Sequence, residues 1–161
     1  MAKHFLNTSD DDLDFKLLGI VCPGDQYQVV SAISSVLKIN LVLSDYIPFN
    51  LKDGKIFKFS LYHFIDDELG LEYFFIPNTS NFEEPNMNLH HGNDLFAGLE
   101  VDEEVKLVKE LPKTDYFLIL KGEELFNHQH KIVDKLKTII DIIQVQTIEP
   151  NDLPSRRNLI F

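Results

Sequence analysis

Apolar residues recur along this chain with two periods, and the switches between them divide it into elements. Residues 14–22, Asp-Phe-Lys-Leu-Leu-Gly-Ile-Val-Cys, form a compact apolar run that Pro23-Gly24 ends, which predicts a first strand. Asp25 then stands where a helix N-cap belongs. Tyr27, Val30, Ile33 or Ser34, and Leu37 recur at helical spacing, with Val29 and Val36 widening the stripe, so an amphipathic helix is expected over residues 25–38. Residues 40–43 and 46–51 read as extended, and Asp53-Gly54 is a hairpin turn signal. Residues 55–65 alternate, with Phe57, Phe59, Leu61, His63 and Ile65 as the better core face. Asp66-Asp67-Glu68-Leu69-Gly70 makes another turn, and residues 71–76 return as a strand, so the middle of the chain is an antiparallel meander.

Residues 77–98 lose the apolar period and are rich in Asn and acidic side chains, which marks an insert longer than the usual connection and mobile in expectation. A short strand is expected around residues 105–108, with a helical turn before Pro112. Residues 116–120 are five apolar residues rich in β-formers, and Gly122 stops them. Leu125, Ile132 or Val133, Leu136, Ile139 or Ile140, and Ile143 then predict a second helix over residues 123–142, with Glu123 and Glu124 in its first turn, where the helix dipole favours negative charge. Residues 144–148 read as a last strand, and the apolar tail 159–161 is expected to dock on the body.

A strand, a glycine turn, an amphipathic helix and a strand thus occur twice, around residues 14–51 and 115–148. Two such units predict an α+β fold, an antiparallel sheet with two amphipathic helices on one face, ferredoxin-like or ACT-like, with extra hairpin strands. Two helices cover only one sheet face. Either the other face joins a second copy, or the insert and tail cover it and leave a monomer.

At 161 residues one core suffices, so residues 1–161 are read as a single domain with an acidic tail at 1–12. The 26 Asp and Glu against 15 Lys and Arg give a net charge of -11, which repels a phosphate backbone and makes nucleic acid and anionic membrane unfavourable partners. A lone cysteine, Cys22, precludes an internal disulfide. The polar start and the lack of any membrane-length apolar run lead to an expectation of a cytoplasmic protein.

Residues 108–116, Val-Lys-Glu-Leu-Pro-Lys-Thr-Asp-Tyr, resemble the signature of the IPExxxVDY family of Bacteroidota proteins. Glu110, Asp115 and Tyr116 match, Val108 replaces isoleucine, and Lys109 and Thr114 stand where proline and valine are expected. The plan of the chain is similar too, with an acidic start, Gly19-Ile20 in the first strand, and an Asn158 to Phe161 ending. The resemblance implies a bacterial cytoplasmic protein and supplies no activity, ligand or cofactor.

Candidate chemistry is sparse. Glu110, Asp115 and Tyr116 could hold a ligand, against the plainer reading that Asp115 satisfies backbone donors at a strand entrance and Glu110 sits on a solvated turn. Cys22 precedes a helix N-terminus, where a thiolate is stabilised, but no base or arginine-bearing anion loop accompanies it. His90-His91 and His128-Gln129-His130 resemble metal ligands, yet residues two apart on a helix point in different directions. The acidic residues at both strand-to-helix turns oppose a bound phosphate. No catalytic residue, metal or cofactor is assigned. The sequence points to a non-enzymatic domain that binds another protein and self-associates through a sheet edge or a sheet face. Behind that stand an ACT-like small-molecule sensor with its ligand near residues 23–26, and third an enzyme using Cys22 or Glu110 and Asp115.

Overall fold

A computed structural model describes residues 15–81 and 104–161. Eight strands and two helices follow in the order β1 (Lys16–Val21), α1 (Gln26–Leu37), β2 (Val42–Asn50), β3 (Ile56–Asp66), β4 (Leu71–Pro77), β5 (Thr79–Ser80), β6 (Val105–Lys106), β7 (Tyr116–Lys121), α2 (Leu125–Leu136) and β8 (Gln144–Ile148). Two 3-10 turns, Pro150–Asp152 and Arg156–Leu159, lead to the end of the chain. Six strands form one antiparallel sheet ordered β2-β3-β4-β7-β1-β8, while β5 and β6 pair separately. The fold is α+β, as the periodicity predicts.

Within that sheet, β4-β7-β1-β8 and the two helices make the ferredoxin-like arrangement of interleaved split βαβ units, and β2 and β3 extend it on the β4 side. One detail of the predicted repeat is corrected. The strand that completes the first unit beside β7 is β4, not residues 40–51, because β2 lies at the far edge of the sheet. Burial explains the exchange: β4 is apolar on both faces and suits the interior, whereas β2 buries none of its nine residues fully.

Both helices cover one face. Val29, Val30, Ile33 and Leu37 of α1 and Leu125, Ile132 and Leu136 of α2 pack on Leu18, Ile20, Phe75, Leu118 and Leu120. Asp25 caps α1, its Oδ1 accepting from the Tyr27 N–H at 2.8 Å. At the other end Lys38 adopts the left-handed conformation, φ 58°, and its N–H donates to Ser34 O.

The opposite face has its own core, in which Phe15, Leu17, Phe57, Phe59, Phe117 and Ile119 meet Leu107, Val108, Leu153 and Leu159. The expected docking of the tail is therefore observed. Leu159 is fully buried, and Phe161 meets Phe74 at 5.9 Å between ring centroids. The alternative in which tail residues cover the second face holds for the tail, while residues 82–98 of the predicted insert and the acidic tail 1–12 lie outside the described residues.

Two further expectations are corrected. In β3 only Phe57, Phe59 and Leu61 of the chosen face are buried, and Tyr62 is buried on the helix side, since both sheet faces carry a core. The tail ends over Phe74. Beyond it the sheet closes with polar groups: His63 stacks on Phe74 and meets Glu72 at 2.7 Å, Lys121 Nζ lies 5.0 Å from the Phe74 ring centre, and Ile65 is exposed. The second helix stops at Leu136, not at 142, because the N–H groups of Thr138 and Ile139 turn back to carbonyls three residues earlier. Ile139 is buried by that turn and Ile140 is left 95% exposed. Glu124 falls at the cap position, outside the first turn, and its Oε2 accepts from Asn127 Nδ2.

The loop joining β6 to β7 is organised by Asn78, which is fully buried just after β4. Its Nδ2 donates to the carbonyls of Leu111 and Thr114 at 3.0 and 2.9 Å, with a longer contact to Val108 O, while its Oδ1 accepts from Val108 N–H at 2.8 Å. Its backbone joins in, N–H to Asp115 O and C=O from Leu107 N–H.

Two stability predictions follow from these geometries. Asn78→Ala leaves the Val108 N–H and the Thr114 carbonyl buried without their partner, and urea unfolding should show a loss of about 2–4 kcal/mol. Lys38→Gly relieves a left-handed conformation that costs an L residue about 1–2 kcal/mol, partly offset by glycine's chain entropy, so the same assay should show a gain of about 1 kcal/mol.

Candidate functional site

The residues singled out in the sequence are divided by the fold between two places. Asp115 and Tyr116 enter β7 beside the turn after β1, and with Cys22, Gly24, Gln26 and Lys106 they line an open cleft of about 280 Å³. Glu110 lies elsewhere. Its Oε1 accepts from both the N–H and the hydroxyl of Ser155 at 2.9 Å, fastening the tail to the β6–β7 loop. Slight burial pulls the Glu110 carboxyl upward, but its own backbone N–H, the Ser155 donors and the charge of Lys109 outweigh that and hold it below its ordinary value. Glu110, Asp115 and Tyr116 thus form no single constellation.

The polar groups of the cleft are already engaged with one another. Asp115 Oδ2 accepts from Cys22 N–H at 2.8 Å, which is the backbone satisfaction expected of an aspartate at a strand entrance. Tyr116 OH donates to Gly24 O at 2.7 Å, Gln26 Nε2 to Tyr62 OH at 2.9 Å, and Lys106 Nζ to Thr79 Oγ1 at 2.6 Å. Burial, followed by the nearby Cys22, Asp115 and Asp25, pushes the Tyr116 phenol up to about 12. It is a committed donor at neutral pH and a poor base. Cys22 is buried, and among the described residues no histidine lines the cleft to activate it. The arrangement ties three chain segments together and presents a shallow recess. Among the described residues it offers polar groups for binding and pairs no nucleophile with a base.

The histidines do not converge. His128 and His130 lie on α2 with no acidic or cysteine partners in ligand geometry, and no group of three or more His, Cys, Asp or Glu able to hold a metal occurs among the described residues. His90 and His91 lie outside the described residues.

A second surface emerges that the sequence reading did not single out. The helices cover the β4 to β8 part of their face, and α1 borders the uncovered hairpin of β2 and β3. Leu43 pairs with Tyr62 and Tyr46 with Ser60, so these side chains share the helix side of the sheet with the buried Tyr62 ring. Tyr27 projects from α1 at the same place and is 71% exposed; Tyr46 is 50% exposed. The phenols are close: burial chiefly, then the neighbouring Tyr27, Tyr46 and Asp25, raises the Tyr62 pKa against the opposing effect of its bond from Gln26. Moreover, α1 contains no charged residue, although its outward positions include Gln28, Ser31 and Ser35. The signal was legible as QYQVVSAISSVL, a solvent-facing helix without Asp, Glu, Lys or Arg.

The Tyr116 bond sets an alkaline limit. Its folded pKa of about 12 exceeds the ordinary 10, so the stability it contributes is complete below pH 10 and is lost as pH rises toward 12. Thermal midpoints measured across that window should fall. Tyr116→Phe should cost about 1 kcal/mol at neutral pH and flatten the alkaline loss by the Tyr116 share.

No family model and no curated protein sequence matches this chain.

Proposed function

We propose that this is a non-enzymatic domain that binds another protein on the surface formed by α1 and β2, and that acts as a self-associating unit. The observation that carries the reading is the tyrosine-bearing shelf of Tyr27, Tyr46 and Leu43 beside an α1 without a single charged residue. In a chain of which 25% is charged, such a surface has the composition of an interface core, where charge is depleted and tyrosine enriched. The acidic remainder, at a net charge of -11, favours a partner with basic residues flanking its apolar contact. Within this proposal the resemblance to the IPExxxVDY family has a structural meaning: Asp115 and Tyr116 brace the β1–α1 turn on which the shelf stands, and Glu110 locks the tail.

A second reading is supported by the cleft at Cys22, Gly24 and Gln26, which lies where an ACT-like sensor was expected to place its ligand. Thermal-shift screening against metabolites separates the two, since a sensor gains stability with a small ligand and a protein-binding domain does not.

The decisive experiment is affinity capture of partners from the native cell extract with the full chain, beside the Tyr27→Glu/Tyr46→Glu double variant. Both positions are exposed, so the fold should be unaffected, and partner retention should fall by about tenfold or more. Equal retention by both proteins would remove the shelf from the interface.

A further inference from the structure

We infer that two copies of this chain join through the free edge of β8, with antiparallel strand pairing and an apolar contact at each end. This deepens the self-association part of the proposed function and rests on that reading. Among the described residues the sheet has two free edges, and they differ in kind. On β2, Leu51 N–H donates to Lys55 O, so the alternation of the ladder turns Pro48 outward, where it has no N–H to offer; the register also shifts between Leu43 and Asp45. An outward proline and an irregular register are devices that keep an edge unpaired. The β8 strand has neither.

Its sequence Gln-Val-Gln-Thr-Ile is free of charge, proline and glycine, and it pairs with β1 in unbroken register. Asp115 N–H bonds to Ile20 O on one side of β1 and Ile143 N–H to Val21 O on the other. The alternation therefore aims the backbone groups of Val145 and Thr147 away from β1, a row of donors and acceptors open to another strand.

Exposed apolar side chains bracket that row. At one end stand Ile140 and Ile143, 95% and 73% exposed. At the other, Gln129 Nε2 reaches Thr147 Oγ1, and Phe126, one helical turn before Gln129, projects over the same edge with 82% exposure. A two-fold axis through the middle of β8 sets Phe126 of one copy against Ile143 of the other, twice over, which is the self-complementarity a symmetric dimer requires. Charge does not oppose it. The block from α2 through β8 holds three lysines and two aspartates, whereas the whole chain carries -11. Higher salt should screen the remaining repulsion and strengthen the dimer.

Sedimentation of the full chain at about 10 μM tests this, together with hydrogen exchange. A dimer is expected, with Val145 and Thr147 amides protected only when it forms. Ile140→Lys/Ile143→Lys should give a monomer with an unchanged thermal midpoint, and Thr147→Pro should do the same by removing one outward N–H. Phe126→Lys and Ile143→Glu should each be monomeric alone and pair when mixed. Tyr27→Glu/Tyr46→Glu should remain dimeric, so failure of the shelf and failure of the edge are read separately. A monomeric wild type, a dimer that survives both β8 variants, or a mixture that does not pair would overturn the proposal.

Discussion

Asn78 is the point on which the architecture closes. It sits where β4 ends and the chain leaves the central sheet, and the one planar amide receives and donates to both ends of the β6–β7 loop. Without it, the Val108 N–H and the Thr114 carbonyl would be buried with few alternatives, since this segment has too little regular structure to satisfy itself. Because Val108 is fixed, Leu107 and Val108 fill the second core, and the tail finds a surface to dock on: Asn158 Nδ2 bonds Leu107 O at 2.8 Å. Because Thr114 and Asp115 are fixed, β7 enters the sheet in register with β4 and β1. Among the described residues, no buried side-chain nitrogen or oxygen lacks a partner. The clasp makes that outcome achievable.

This gives the 108–116 stretch a physical account. Its Asp115 and Tyr116 tie β7 to the turn before α1, and its Glu110 reaches across to Ser155. The residues that stand out in the sequence act as connectors between segments distant along the chain, bonding chiefly to backbone groups. Signature residues of this kind specify a shape.

How much of this was legible depended on whether the information was local. The β1, α1 and β7 elements were read almost to their ends because each has a clean period and a local stop, Pro23-Gly24 or Gly122. The second helix was over-read, since Ile139, Ile140 and Ile143 continue a helical spacing in letters after the backbone has turned. Periodicity reports which residues are apolar and not whether the N–H bonds continue four residues back. The place of β2 and β4 in the sheet required knowing which strand is buried on both faces. The pairing of Asp115 with Cys22, 93 residues apart, was foreseen only as a type of bond. Asn78 carried no signal at all, because a buried asparagine and a loop asparagine read alike in a polar stretch.

The two surfaces proposed for contact arise from how this sheet was extended. In a four-stranded ferredoxin-like sheet, two helices cover one face completely. Adding β2 and β3 on one side widens the sheet without adding a helix, so the outer part of the hairpin's helix-side face, at Tyr46 and Leu43, stays exposed, and α1 becomes the wall of a shelf. The same addition moves one free edge outward onto a strand that carries Pro48 and a register shift, while β8 keeps the position and the regular backbone of an edge in the smaller fold. One edge is blunted and the other is not. A chain that needed to remain solitary would gain by protecting both. On the proposals made above, the asymmetry, with isoleucines at one end of β8 and a phenylalanine at the other, gives the protected side to a different partner and the unprotected side to the chain's own copy.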